Sequence, residues 1–158
     1  MVAGKMVSTV SALTMLAMLC GCSNTGDRPE LGEVSGIVTL NGEPLPYAGV
    51  HFRPESGGRT ASGYTGADGK FESTYLKYPN QVMGAKVGSN HVVITTNVDP
   101  SDLEGVSRKD LDEDAIREEK VPECYRGPGS ILKVDVKEGR NSLAFELTDG
   151  CAPTGTAL

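Results

Sequence analysis

EVSGIVTLNGEPLPYAGVHFRP, residues 33–54, is the stretch that decides the fold of this chain. Its first half alternates, with Val34, Gly36, Val38 and Leu40 on one side and Ser35, Ile37 and Thr39 on the other. Alternation over this length is the mark of a β-strand with one buried face. The run stops at Asn41-Gly42. Both residue types tolerate positive φ, so the dipeptide predicts a two-residue hairpin turn containing Gly42. A second strand follows in AGVHFRP, with Val50 and Phe52 on one face and His51 and Arg53 on the other.

The same signals recur downstream. Thr60 to Thr65 is a short, weaker strand, and Ala67-Asp68-Gly69-Lys70 is a tight turn using Gly69. KFESTY then reads as one strand, with Phe71 opposite Glu72. NHVVITTN is a β-branched run suited to burial on both faces. Near the end, ILKVDV and SLAFELT flank a KEGRN turn built on Gly139, which predicts a last hairpin. Leu132, Val134 and Val136 would face inward from one arm, and Leu143, Phe145 and Leu147 from the other. Strands at this turn-delimited spacing predict an all-β fold, an antiparallel, Greek-key-like β-sandwich of about seven strands.

Upstream of the strands the chain changes character. Lys5 precedes a mostly apolar run, Met6 to Leu19, which ends in Leu19-Cys20-Gly21-Cys22. The run is shorter than the ~20 apolar residues a spanning helix needs, and its layout is that of a secretory signal peptide. Its end resembles the lipobox of bacterial lipoproteins, with Leu at minus three, Gly at minus one and Cys22 as lipid acceptor. Cleavage before Cys20 would put bulky Leu19 at the cut, so Cys20 is expected to leave with the leader. Ordinary secretion, using Gly21-Cys22-Ser23 as a small-x-small site, is the alternative. Ser23 stands where an Asp would signal inner-membrane retention in diderm bacteria, so the resemblance implies the outer membrane or cell surface. The expected organisation is a leader over 1–21, a lipidated N-terminus and tether over 22–32, and a sandwich over 33–150. An acidic insert at 98–123 and a tail at 151–158 complete it.

Composition agrees. Gly at 20 and Pro at 9 fit many turns, and with no Trp the core must rest on Val, Leu, Ile and three Phe. The net charge of −6 argues against nucleic acid or an anionic lipid surface as partner. Loss of the leader, which holds Lys5 and no acid, leaves the remainder more acidic still.

Gly36 through Phe52 reads G-x-V-x-x-N-G-x-P-L-x-x-A-x-V-x-F, and Thr65-Gly66-Ala67-Asp68-Gly69-Lys70-Phe71 follows. This pattern resembles the carboxypeptidase regulatory-like, or transthyretin-like, β-sandwich domains. Together with the lipobox, Val121-Pro122 and Tyr125, the chain is similar to small lipoproteins abundant in planctomycetes. The resemblance covers roughly residues 33–149 and implies a structural or binding module. The family often has Asp where this chain has Gly66, so that carboxylate's role in the turn is missing.

Several residues are candidates for chemistry. Cys124 and Cys151 flank the last hairpin, whose antiparallel pairing would bring them close, and an oxidising compartment favours a disulfide between them. Such a bond would stabilise by roughly 3–4 kcal/mol on the chain-entropy model. Two free thiols, or pairing with another chain, are the alternatives. Tyr125-Arg126-Gly127-Pro128-Gly129-Ser130 resembles the Tyr-Arg-Gly-Ser ending of transthyretin-like hydroxyisourate hydrolases. Here Pro128 and Gly129 interrupt it and only His51 and His91 are available, so a Gly/Pro turn is the preferred reading. Asp110, Asp112 and Asp114 alternate like the start of a calcium loop, but Ala115 and Val121 stand where Gly and Glu are required. A solvated acidic loop with a short helical piece around Lys109 to Lys120 is expected instead, with weak calcium binding as the alternative. His51 and His91 fall on separate strands as ordinary sandwich-face histidines, and no metal or cofactor is expected.

The combined expectation is an envelope-anchored, non-enzymatic structural or protein-interaction module, with a lipid anchor and an envelope protein partner. A small-ligand module for carbohydrate or calcium, using loops at one end of the sandwich, is the alternative. Intact mass of detergent-extracted protein is expected to show acylation at Cys22, and Cys22→Ala is expected to move the protein to the soluble fraction. An unacylated chain that keeps its leader would refute the anchor.

Overall fold

A computed structural model describes residues 29–76, 81–99, 101, 103 and 118–152, and the backbone of 155–157. Among the described residues, twelve strand segments form two sheets packed face to face. In chain order they are β1 (Leu31–Leu40), β2 (Glu43–Pro44), β3 (Gly49–Pro54), β4 (Ala61–Tyr64), β5 (Lys70–Glu72) and β6 (Thr74–Leu76). Then come β7 (Val82–Met83), β8 (Ala85–Lys86), β9 (Gly88–Thr95), β10 (Lys133–Val136), β11 (Gly139–Leu147) and β12 (Gly155–Ala157). The molecule is an all-β sandwich, cut into more and shorter strands than the sequence pattern implied.

The first sheet is organised around β1. One edge of β1 pairs with β11, and β12 lies beyond β11. Its other edge is shared by three short strands: β8 pairs at Leu31–Gly32, β5 at Ser35–Ile37 and β2 at Thr39–Leu40. The second sheet runs β10-β9-β3-β4-β6-β7. The alternation of residues 33–40 is realised, with Val34 and Val38 buried and Glu33 and Ser35 exposed. Asn41 and Gly42 take φ of 53° and 88° and form the expected two-residue turn, with Leu40 opposite Glu43. Gly69 and Gly139 also adopt positive φ. Asp68 Oδ1 accepts the Lys70 N–H, so the turn has its carboxylate two residues after Gly66.

The three phenylalanines meet at the centre. Phe52 comes from the second sheet, and Phe71 and Phe145 from the first, with ring centroids 6.1–6.4 Å apart. Room for Phe71 is made by two glycines. A Cβ at Gly36 would lie 3.0 Å from the Phe71 ring, and one at Gly63 would lie 3.1 Å from it. Gly36 is needed for the backbone as well, since the same Cβ would lie 2.1 Å from the Leu143 carbonyl oxygen.

Several expectations are corrected. The sandwich is not wholly antiparallel, because β1 and β11 run parallel from Gly32↔Gly139 to Leu40↔Leu147. The last hairpin does not form. β10 pairs with β9 in the second sheet while β11 pairs with β1 in the first, so KEGRN is an arch between sheets. Asn141 holds the arch, accepting the Lys137 N–H at 2.9 Å and donating to the Lys137 carbonyl at 2.8 Å and the Glu33 carbonyl at 3.1 Å. The inward set is nonetheless right: Leu132, Val136, Leu143, Phe145 and Leu147 are buried and Val134 is half-buried. Alternation reports which side chains face the core, and both hairpins and arches satisfy it.

KFESTY is two strands rather than one. The chain leaves the first sheet after Glu72 and enters the second at Thr74. Ser73, fully buried at the crossing, donates its N–H to the Val34 carbonyl and accepts the Gly84 N–H at 2.7 Å. A second crossing, from β8 to β9, is held by buried Asn90, whose amide donates to the Lys86 and Gly88 carbonyls. β1 begins at Leu31, so Leu31 and Gly32 belong to the sheet and not to a tether. The backbone of 155–157 in the expected tail pairs with Leu143–Phe145 as an edge strand.

Phe71→Ala is expected to cost about 3–5 kcal/mol of stability, the range for emptying a packed aromatic site. Gly36→Ala is expected to lower the urea midpoint too, because ladder and ring must both shift. Ser142→Ala on the outer face should stay within ~0.5 kcal/mol. A Gly36→Ala protein as stable as wild type would contradict the close β1–β11 approach.

Candidate functional site

The outer face of the first sheet carries a broad concavity. Two adjoining hollows of about 450 and 490 Å³ share Ser35, Glu72 and Ser142. Ser35 on β1 lies directly opposite Ser142 on β11, and Ile37 lies opposite Ala144. Short outward side chains on the two central strands therefore make a low floor. Charged side chains surround it: Lys70 and Glu72 on β5, Glu33 on β1 and Arg140 on β11. Glu33 and Arg140 approach to 3.5 Å while well exposed. Met83, 39% exposed, adds an apolar rim. The arrangement offers hydroxyls, apolar side chains including Ile37, Tyr64 and Met83, and both signs of charge, which suits a polypeptide surface.

The outer face of the second sheet holds the histidines. His51 Nδ1 and Ser62 Oγ share a hydrogen bond of 2.8 Å between β3 and β4, and the ring meets Tyr64 edge-on. His91 Nε2 lies 2.9 Å from Glu55 Oε1, which Lys133 Nζ also approaches at 2.8 Å. The hydrogen bond from Lys133 is the main cause holding the Glu55 carboxyl below its usual range. His51 and His91 sit on neighbouring strands of one face, each with a different partner. Among the described residues, no three His, Cys, Asp or Glu side chains form a group able to hold a metal.

The acidic insert partly covers this face. Val98 and Leu103 are buried against Tyr47 and Tyr64, forming a small second core. Val93 points outward from β9 yet is only 5% exposed. The insert returns at Glu119, whose carboxylate accepts hydrogen bonds from the Thr95 hydroxyl, the Thr96 N–H and hydroxyl, and the Val121 N–H. Burial pushes this carboxyl up, and these hydrogen bonds outweigh it, so the net shift is downward. Glu119 is a residue that sequence reasoning missed, since nothing distinguishes it from the other acids of the loop. Glu118 to Lys120 are not helical. The rest of the expected helical piece, and the calcium candidates Asp110, Asp112 and Asp114, lie outside the described residues, as does Cys22.

One end of the sandwich is built on the Cys124–Cys151 disulfide, which closes across 27 residues. It forms without a hairpin, because the arch brings the approach to β10 and the exit from β11 to the same end. Tyr125 is fully buried, and its hydroxyl donates to the Ala152 carbonyl at 2.9 Å and accepts the Thr148 N–H at 3.3 Å. Ser130 is buried and donates to the Val92 carbonyl. The Tyr125–Ser130 run is thus a pair of tight turns, with Gly127 at φ 62°. Beside it opens a hollow of about 640 Å³ lined by Glu123, Cys124, Arg126, Gly127, Pro128 and Gly129, and neither histidine lines it.

Comparison with known proteins returns no match: no family model, no curated relative and no solved structure aligns with this chain.

Glu119 makes stability depend on pH. A carboxyl whose folded pKa lies below its ordinary value of 4.5 contributes stability that is present above that value and lost as pH falls through the folded pKa. The urea midpoint of Glu119→Gln is therefore expected to lie below wild type at neutral pH and to converge on it as pH falls below 4.5. A difference that stays constant with pH would contradict the clamp.

Proposed function

We propose that this chain is an envelope-anchored lipoprotein that acts as a non-catalytic protein-interaction module. It presents the outer face of its first sheet to a protein partner. The observation that carries this proposal is the pair of adjoining hollows over Ser35, Ile37 and Ser142, rimmed by Glu33, Glu72, Lys70 and Arg140. A shallow face with both charges at its edge suits a partner with an extended segment of small and charged side chains, and it steers orientation by charge complementarity.

Further support comes from three places. The lipobox ending at Cys22 would anchor the chain, and two or three acyl chains make attachment lasting where one is marginal. The segment that follows Cys22 leads in sequence to Glu33 on the rim of the face. The disulfide suits an oxidising compartment outside the cytosol. With the proposal go a cleaved leader over 1–21, a Greek-key-like strand arrangement, and membership of the carboxypeptidase regulatory-like, transthyretin-like class. The outer membrane or cell surface is the proposed location.

Photo-crosslinking side chains placed at Ser35 and Ser142 of the acylated chain in cells test the assignment. Adducts with one discrete envelope protein are expected from both positions and not from Asp135 on the second sheet. Adducts from Asp135 alone, or from none of the three, would reject the first sheet as the contact face.

A further inference from the structure

We propose that β10, an open edge of the second sheet, is a self-association edge that pairs with β10 of a second copy of this chain. β10 stands at the end of its sheet and pairs with β9 alone. The Val92 N–H donates to the Leu132 carbonyl at 2.9 Å, and bonding alternates along an antiparallel strand. Val134 and Val136 therefore spend their backbone groups on β9, while Lys133 and Asp135 turn theirs to the open side. Among the described residues, nothing bonds them there.

An open strand edge is a template for another strand, and charged side chains on it ordinarily repel one. Here the charges are ordered by sign. Arg53, His91 and Lys133 lie directly opposite one another on β3, β9 and β10, a basic row across the outer face. The next row is acidic at both ends. Asp135 lies opposite Ser89, and on the far side of Ser89 the Glu55 N–H donates to the Ser89 carbonyl at 3.0 Å. Glu55 finds its cations within the chain, in Lys133 and His91. Asp135 is exposed, and among the described residues no cation is paired with it.

A two-fold axis at Val134 sets Lys133 of each copy opposite Asp135 of the other. These are the residues whose backbone groups face the open side, so both pairs exchange hydrogen bonds and both join opposite charges. The basic row of one copy then runs on into the acidic row of its partner. Moving the axis to Lys133 or to Asp135 sets that residue against its own equivalent, and like charges directly opposite are destabilising. Charge thus selects one register, and the pair closes on itself. β10 is only 4 residues long, so the contact belongs with weak interfaces and forms where copies are held at high local concentration. It leaves Ser35 and Ser142 open and does not depend on the sheet face proposed above. A cross-linker at position 135 that captured it would give a product of twice the chain's mass, separable from an adduct with a different envelope protein.

Sedimentation equilibrium on the purified full chain in density-matched detergent provides the test, at physiological ionic strength and up to about 1 mM chain. A monomer–dimer equilibrium is expected. Asp135→Lys and Lys133→Glu should each weaken it about tenfold or more at an unchanged melting temperature, and Arg140→Gln should leave it unchanged. An equimolar mixture of the two edge variants should restore association, because each supplies the charge that the other has lost. Should either variant fail to fold, Asp135→Asn and Lys133→Gln replace them, with a smaller loss expected from each. A monomer at every concentration, a dimer as strong in the edge variants as in wild type, or a mixture no stronger than either variant alone overturns the contact.

Discussion

The parallel ladder between β1 and β11 is the constraint on which the rest of the sandwich depends. Parallel neighbours cannot be joined by a tight turn, so the whole chain from Asn41 to Glu138 lies between the two partners. Their approach is close. Gly32 and Gly36 each sit where a Cβ would lie 2.1 Å from a carbonyl oxygen, of Lys137 and of Leu143 respectively. Once the ladder is closed, Val38 and Phe145 are partners in register and the core assembles behind them. Phe52 on the facing sheet then completes the cluster with Phe71 and Phe145. Aromatic rings of this kind bury large apolar areas, and tilted contacts add about 0.5–1.5 kcal/mol beyond that.

The intervening chain meets the other edge of β1 three times, as β2, β5 and β8, and crosses between sheets in doing so. Each crossing interrupts a ladder and leaves backbone groups that need partners. Polar side chains supply several of them. Asn90 serves the passage into β9 and Asn141 serves the arch before β11, while Ser73 is buried at the passage into β6. Glu119 does comparable work where the acidic insert rejoins the body. These residues hold the fold through hydrogen bonding in places where apolar packing has nothing to offer.

Division of labour between the two sheets follows. The second sheet spends part of its outer face on the insert, through Val98, Leu103, Tyr47 and Tyr64. The first sheet leaves Ser35 and Ser142 exposed at its centre. Serine and mixed charge lie on that open face.

Local pattern carried much of this by itself. The alternation of residues 33–40, the Asn41-Gly42 turn and the inward-facing sets around Phe52, Phe71 and Phe145 were legible because side-chain direction repeats every two residues along a strand. The pairing of Cys124 with Cys151 was legible too, although for a reason that did not hold. Pairing partners were not legible: hydrogen bonds between strands join backbones, and backbone carries no residue identity. Hence the arch at Gly139, the crossing at Ser73 and the parallel register of β1 emerged only in three dimensions. The Glu119 clamp is of the same kind, since burial and hydrogen-bond partners depend on what distant segments place around a side chain.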